Sequence, residues 1–309
     1  MNTRPSPERP LPRTIPEYLE QLRQALAGAD KAMVQDALYD AEEYLRAELA
    51  ANPGRPEADV IADVAGSYGA PEEVADIYRE TEVTVNRALR PPQPPRGRSL
   101  AARFFGVAAD PYTYGSLFYM LLALATGVFY FTWAVTGISL SGGLIILIIG
   151  VPLLLLFLMS VRLLSLVEGR IVEALLGVRM PRRPLYIQRD KPWLTRIGEL
   201  FTDGRTWTAM AYMLAMLPLG TAYFSCIVTL LAVSLGLLLT PLASLFGWWD
   251  SPGFHLDGLY FALADSWAGA LLAFAIGLLL LFATLHLARL VGRCHGWLAK
   301  HLLVRNPVV

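Results

Sequence analysis

Lysine and arginine are missing from two long stretches of this 309-residue chain, one between Arg103 and Arg162 and one between Arg205 and Arg289. Inside those stretches lie four apolar runs, Ser116–Val135, Leu144–Val161, Trp207–Leu239 and Trp267–Leu287. A helix needs about 20 mainly apolar residues to cross a bilayer, and each run is long enough to contribute one crossing. The connectors from the first run to the second and from the third to the fourth carry no cationic side chain. All 26 basic residues therefore fall on one side of a four-span arrangement. Loops rich in Lys and Arg stay in the cytoplasm, so both termini are expected there. The predicted location is the plasma or inner membrane, with multiple passes.

The formal net charge is zero, but the two halves are opposite. Pro16 to Arg90 holds sixteen Asp/Glu against seven Lys/Arg, a net of −9, whereas Pro91 onward holds nine against sixteen, a net of +7. An acidic head does not bind nucleic acid directly, because phosphate affinity needs cationic surface. The basic half places its charges beside the spans, where they face the anionic inner leaflet, so membrane lipids are expected contacts. The two cysteines, Cys226 and Cys294, sit at different levels and support neither a disulfide nor a zinc site. Met1–Arg13 is polar and proline-rich without the apolar core of a signal peptide, and the first span is expected to act as an uncleaved insertion signal.

Four helices are expected between residues 15 and 87. In the second, Val34, Leu38, Ala41, Leu45 and Leu49 recur at three- and four-residue spacing, with Asp36, Asp40 and Glu43 on the other face. Asp30 is placed to cap its start, and Asn52-Pro53-Gly54 stops it. The fourth opens at Pro71, with Glu72 and Glu73 suited to the positive end of its dipole. Pro91, Pro92, Pro94 and Pro95 then predict a semi-rigid spacer of polyproline geometry, reaching about 30 Å over ten residues. Leu100–Val107 reads as a short interfacial helix.

The membrane half repeats itself. Asp110 placed over Asp203 aligns Thr113 with Thr206, Tyr119-Met120-Leu121 with Tyr212-Met213-Leu214, Leu124 with Leu217, Gly127 with Gly220 and Tyr130-Phe131 with Tyr223-Phe224. That is nine identities in twenty-two positions. Further on, Arg162 falls on Arg289 and Leu175-Leu176 on Leu302-Leu303. Each copy is a hairpin entering and leaving on one side, so the copies are expected to be parallel repeats about an axis normal to the membrane. The expected fold class is all-α, a small cytoplasmic helical bundle plus a four-helix transmembrane module built from two parallel-repeat hairpins. The expected division is 1–14 disordered, 15–88 acidic bundle, 89–99 proline-rich linker, and 100–309 four-span module with repeats 110–179 and 203–305.

The second outer loop, Pro241–Ser266, is the place where the copies differ. Trp248, Trp249, Asp250, His255 and Asp257 make it the candidate sensing surface, the alternative being an aromatic cap on the outer leaflet. No metal-ligand spacing is present there, and no cofactor is expected. The four runs are nearly free of ionisable residues, which argues against ion or proton transport. After each hairpin an amphipathic segment is expected. Its apolar stripe is Leu163, Leu164, Val167, Ile171, Leu175 and Val178 in the first copy, with Arg162, Glu168, Arg170 and Glu173 outside it. The second copy repeats this with Leu290, Val291, Trp297, Leu298 and Leu302. Arg179-Met180-Pro181-Arg182-Arg183 reads as a topology determinant. Pro152 and Pro218 are candidate bends. No zinc-protease, serine-hydrolase or phosphate-loop motif occurs, so no enzymatic activity is expected.

Gly66-Ser67-Tyr68-Gly69-Ala70-Pro71-Glu72-Glu73-Val74-Ala75, preceded by Tyr18-Leu19 and the acidic helix Asp36–Glu48, resembles the HAAS helical signalling domain. Ala70 stands where that turn usually supplies a capping Asp or Ser. The resemblance implies a head that binds a cytoplasmic protein, either a PadR-like transcription regulator or a transporter subunit, through Asp36, Asp40, Glu43, Glu72 and Glu73. The tract Gly150-Val151-Pro152-Leu153-Leu154 running into Arg162–Gly177, with the Tyr-Met-Leu…Gly…Tyr-Phe opening of each copy, is similar to the sensor domain at the N-termini of many actinobacterial histidine kinases. No phosphoacceptor helix or ATP-binding region follows in this sequence, so the output element is expected to be the head. The implied function is a multi-pass membrane signalling protein that senses envelope or membrane state. An accessory scaffold subunit of another membrane complex, and a small transporter or lipid-handling protein, are the alternatives. An oligomer is compatible with all three.

Overall fold

The computed structural model describes residues 11–89, 100–144, 149–182, 198, 202–246 and 266–304. Among them, the regular structure is entirely helical. The head contains α1 (Ile15–Ala25), α2 (Lys31–Ala51), α3 (Glu57–Ser67) and α4 (Pro71–Leu89). Thr14 caps α1 through its hydroxyl, which accepts from Glu17 N–H at 3.3 Å, and Asp30 caps α2 by accepting from Ala32 N–H at 2.9 Å. At the start of α4, Ala70 offers no side-chain acceptor. Glu73 instead accepts from Ala70 N–H at 3.1 Å, the reciprocal half of a capping box. Gly69, at φ +119°, makes the left-handed turn just before it.

Tyr18, Leu22, Ala41, Leu45, Ile61 and Val74 centre the head's core. The Tyr18 hydroxyl ties α1 to the turn by donating to the Gly69 carbonyl at 2.7 Å. Burial, with smaller contributions from Tyr68, Glu72 and Glu73, pushes its phenol above the ordinary range.

α5 (Leu100–Phe105) and a 3₁₀ turn (Gly106–Ala109) lead into the membrane half. Four helices there are long and apolar enough to cross a bilayer: α6 (Pro111–Leu144), α7 (Gly150–Leu176), α8 (Gly204–Leu245) and α9 (Trp267–Leu303). α6 and α8 form the central pair, with α7 packed on α6 and α9 on α8. Pro152 falls in the first turn of α7, where a missing N–H breaks no helical bond, so no bend is required there. Pro218 lies within α8.

The central pair crosses where the backbones are bare. A Cβ on Gly127 would lie 2.9 Å from the Met216 carbonyl carbon, and one on Gly220 2.6 Å from that of Ala123. Met216 and Ala123 are themselves aligned at the repeat offset of 93, so each glycine meets the counterpart of its own helix's neighbour. Small residues at a crossing allow the close backbone approach that replaces hydrophobic drive inside lipid.

Candidate functional site

The expected stripe beyond each hairpin holds in part: Leu164, Ile171, Leu175, Val178 and Leu302 pack against the core, while the exposed members are corrected. Leu163 and Val167 are 62% and 46% exposed and Leu290 and Trp297 are 57% and 62% exposed, whereas Glu168 and His295 are each 1% exposed. α7 turns Val161, Ser165, Glu168, Gly169, Val172 and Leu176 inward, and α9 turns Gly292, His295, Gly296, Ala299 and Leu303 inward. The reason is the solvent. In lipid, leucine gains nothing by leaving the acyl chains, while a carboxylate must find partners inside the bundle. Glu168 lies eight residues before the last residue of α7, about 12 Å along the axis from its head-proximal end.

All four spanning helices contribute to the resulting hub. Tyr119 and Tyr212 place their hydroxyls 2.7 and 2.8 Å from Glu168 Oε1, and Tyr130 places its own 2.9 Å from Oε2. His295 Nε2 lies 2.6 Å from the Tyr119 hydroxyl and 2.9 Å from that of Tyr212. Tyr223 approaches Nδ1 at 3.4 Å. Sequence reasoning missed Glu168 and His295 as a pair, although the signal was present. Continuing the Arg162/Arg289 alignment by six positions sets Glu168 over His295, and the two tyrosine pairs, Tyr119/Tyr212 and Tyr130/Tyr223, already stood in register. The hub thus draws three pairs of aligned positions together, with an acid at one position of the third pair and an imidazole at the other. The expectation of an interior nearly free of ionisable side chains applies to the four runs and fails for the helices that extend them.

Two ion pairs cross between the hairpins. Arg162 of α7 donates to Asp203 at 2.8 Å and to the Thr206 hydroxyl at 3.1 Å. Arg289 of α9 pairs with Asp110 at 2.9 Å and lies over the Tyr112 ring, 5.2 Å from its centroid. Both aspartates also cap the helix that follows, Asp203 for Arg205 N–H at 3.1 Å and Asp110 for Tyr112 N–H at 3.0 Å. Each outer helix therefore grips the first turn of the other hairpin's inner helix.

The head docks against this same end. Lys300 of α9 pairs with Asp30, and Arg205 of α8 donates to Gln35 at 3.1 Å. Arg179, just past α7, sits among three carboxylates: Glu173 at 3.1 Å, Asp36 at 3.3 Å and Glu82 at 3.4 Å. Arg182 adds its backbone N–H to Asp36 at 2.7 Å and its guanidinium to Glu173 at 3.2 Å. Burial opposes the charge on Arg179, but the hydrogen bond it donates to Glu173 and the fields of Glu82 and Asp36 outweigh it and raise its pKa above the ordinary value. Arg179 and Arg182, just past α7, thus hold the head. At α5, Phe104 and Phe105 pack on Phe282, and the Phe104 carbonyl lies 3.0 Å from His286 Nε2.

Of the head residues singled out from sequence, Asp36 is therefore turned towards the membrane module, and Asp40 accepts from the Tyr78 hydroxyl at 3.1 Å. Glu43, Glu72 and Glu73 are exposed. Trp248, Trp249, Asp250, His255 and Asp257 lie outside the described residues. Among the described residues, no group of three or more His, Cys, Asp or Glu is placed to hold a metal ion.

Four apolar helices, joined at their core by a polar hub, define a helical membrane protein. The family described as "Putative sensor" matches residues 119–303, from the first tyrosine of the hub to the last residue of α9, and the chain belongs to it. No curated protein and no solved structure matches the chain.

Proposed function

We propose that this protein is a non-enzymatic membrane sensor whose four spans and outer loop respond to envelope or membrane state and whose acidic head reports it to a cytoplasmic protein partner. The observation that carries the proposal is the charged seam. Cations from α8, α9 and the segment after α7 hold Asp30, Gln35, Asp36 and Glu82 of the head. Any relative movement of the spanning helices therefore changes the contacts on one face of α2 and on α4. The reading takes the Arg/Lys-rich end as cytoplasmic, in accord with the charge bias of the loops. It takes the two hairpins as duplicated copies, supported by the reciprocal ion pairs and the paired glycines at the crossing. The HAAS resemblance of the head favours a transcription regulator or a transporter subunit as the partner. Charge is the simplest means of gating it, because a partner with a basic surface competes with Arg179 and Arg182 for the same carboxylates.

The test uses full-length protein purified from its native membrane, compared with an R179Q/R182Q variant and with a form lacking residues 15–88. The proposal expects a co-purifying cytoplasmic protein whose yield rises in the arginine variant and vanishes without the head. Yields identical in all three forms, or a reproducible absence of any such protein, would overturn it.

A further inference from the structure

Four cations of the spanning module face the head: Arg205 in the first turn of α8, Lys300 in the last turn of α9, and Arg179 and Arg182 just past α7. Asp36 accepts from Arg179 and from the Arg182 N–H, Glu82 pairs with Arg179, Asp30 with Lys300, and Gln35 accepts from Arg205. Gln35 and Asp36 are consecutive on α2, so Arg205 and the Arg179–Arg182 pair meet the head at one level. On the module's own side, Glu173 is the carboxylate that shares Arg179 and Arg182. Once the head leaves, this set holds four positive charges against one negative, a net of +3.

The same end carries the marks of a headgroup level. Trp207 lies two residues after Arg205 and Trp297 three before Lys300, and both are exposed. Exposed tryptophans at the ends of apolar spans sit where acyl chains give way to headgroups. The cations beside them therefore stand at the depth of lipid phosphates. The Arg182 side chain is 48% exposed and that of Lys300 29%, so a phosphate reaches both while the head is still docked. Arg205 is buried at the seam with Gln35 and Asp36 and becomes available only afterwards. Desolvation offsets much of the attraction in half-buried ion pairs of this kind. A Lys or Arg beside an anionic leaflet gains about a fivefold factor in binding. A charged leaflet thus competes with the head on equal terms.

We propose that the seam is a latch set by lipid charge, at which the phosphate headgroups of anionic lipids compete with Asp30, Asp36 and Glu82 for Arg179, Arg182, Arg205 and Lys300. In a neutral leaflet the head stays docked. In an anionic leaflet the cations turn to phosphate and the head is freed intact. Resting on the sensor reading, leaflet charge becomes a membrane state to which the protein responds, and the freed face of α2 is offered to the partner.

The experiment uses full-length protein in nanodiscs and carbodiimide labelling of Asp36, read by mass spectrometry. Asp36 is buried while the head is docked, so its labelling rate follows the undocked fraction. Nanodiscs of phosphatidylcholine are compared, at one ionic strength, with nanodiscs that also contain phosphatidylglycerol. The rate is expected to rise about fivefold or more with the anionic lipid, the factor for a single cation. Amide exchange in α1, whose Tyr18 and Leu22 belong to the head's own core, stays slow because the head undocks without unfolding. R182Q/K300Q removes the two cations that lipid reaches first, so labelling is fast in both bilayers and phosphatidylglycerol changes little. Equal wild-type rates in the two bilayers, or faster α1 exchange alongside the labelling, would overturn the proposal. So would a full lipid response in R182Q/K300Q, which would mean that the leaflet merely repels the acidic head. An equal rise caused by inorganic phosphate in the neutral bilayer would assign the site to a free anion and also overturn it. Loss of the head-dependent co-purification above, with the lipid response intact, would remove the partner reading and leave the latch standing.

Discussion

The substitution Gly127→Ala tests whether the central crossing positions the hub. The new methyl group would sit 2.9 Å from the Met216 carbonyl carbon and 3.2 Å from Leu217 Cα, where ordinary contact begins near 3.4 Å. Both obstacles are backbone atoms, so no side chain can rotate away, and α6 and α8 must part by about 0.5 Å or more. Overpacking of this kind costs about 1–3 kcal/mol. The intrinsic helix preference of alanine returns at most about 1 kcal/mol. The separation also acts where it matters most. Tyr119 lies one turn before Ala123 and Tyr212 one turn before Met216, so the displacement opens the ring of contacts that both hydroxyls make with Glu168 and His295. Stretching two of those hydrogen bonds adds about 1 kcal/mol each. A net loss of about 2–4 kcal/mol is expected, measured by thermal unfolding in detergent with tryptophan fluorescence and size exclusion as independent probes. Gly142→Ala in the same helix is the control, because its Cβ would meet nothing within 4 Å. Equal stability of the two variants would refute the reasoning.

Arg162→Gln and Arg289→Gln are expected to cost similar amounts, about 1–3 kcal/mol each, since each strands a partly buried aspartate between hairpins. Unfolding of purified protein measures it, and a large effect for only one of the two would contradict the reciprocal arrangement. In the head, Glu73→Ala removes the acceptor for Ala70 N–H and should destabilise the head by about 0.5–1 kcal/mol. Amide hydrogen exchange in the first turn of α4 would report it as faster opening, whereas unchanged exchange would show that the cap is dispensable.

The arrangement of elements was legible from residue patterns because each depends on local chemistry. Asp30 caps α2 since its carboxylate reaches a backbone N–H two residues on, whatever the rest of the chain does. Four apolar runs are each long enough for one crossing, and the nine identities that align Tyr119 with Tyr212 lie in the chain itself. The turn at Gly69-Ala70-Pro71 was equally readable. Its missing cap was visible too, but not the compensation by Glu73, which depends on one rotamer.

Which face of each spanning helix turns inward could not be taken from amphipathicity in the form that serves in water. There the apolar stripe marks the core. Here Leu163, Val167 and Trp297 lie on the outside, and Glu168 and His295 lie within, because lipid accepts leucine freely and refuses an unpartnered carboxylate. Nor does any local pattern say that Asp36 on a head helix meets Arg179 across 143 positions, or that Arg162 grips Asp203 while Arg289 grips Asp110. The residues alone determined the four long apolar helices, the aligned identities and the capped helices, through short-range bonding and transfer from water. The hub and the docked head were decided only when four helices met, since a buried charge chooses its neighbours from whatever the packing brings within 3 Å.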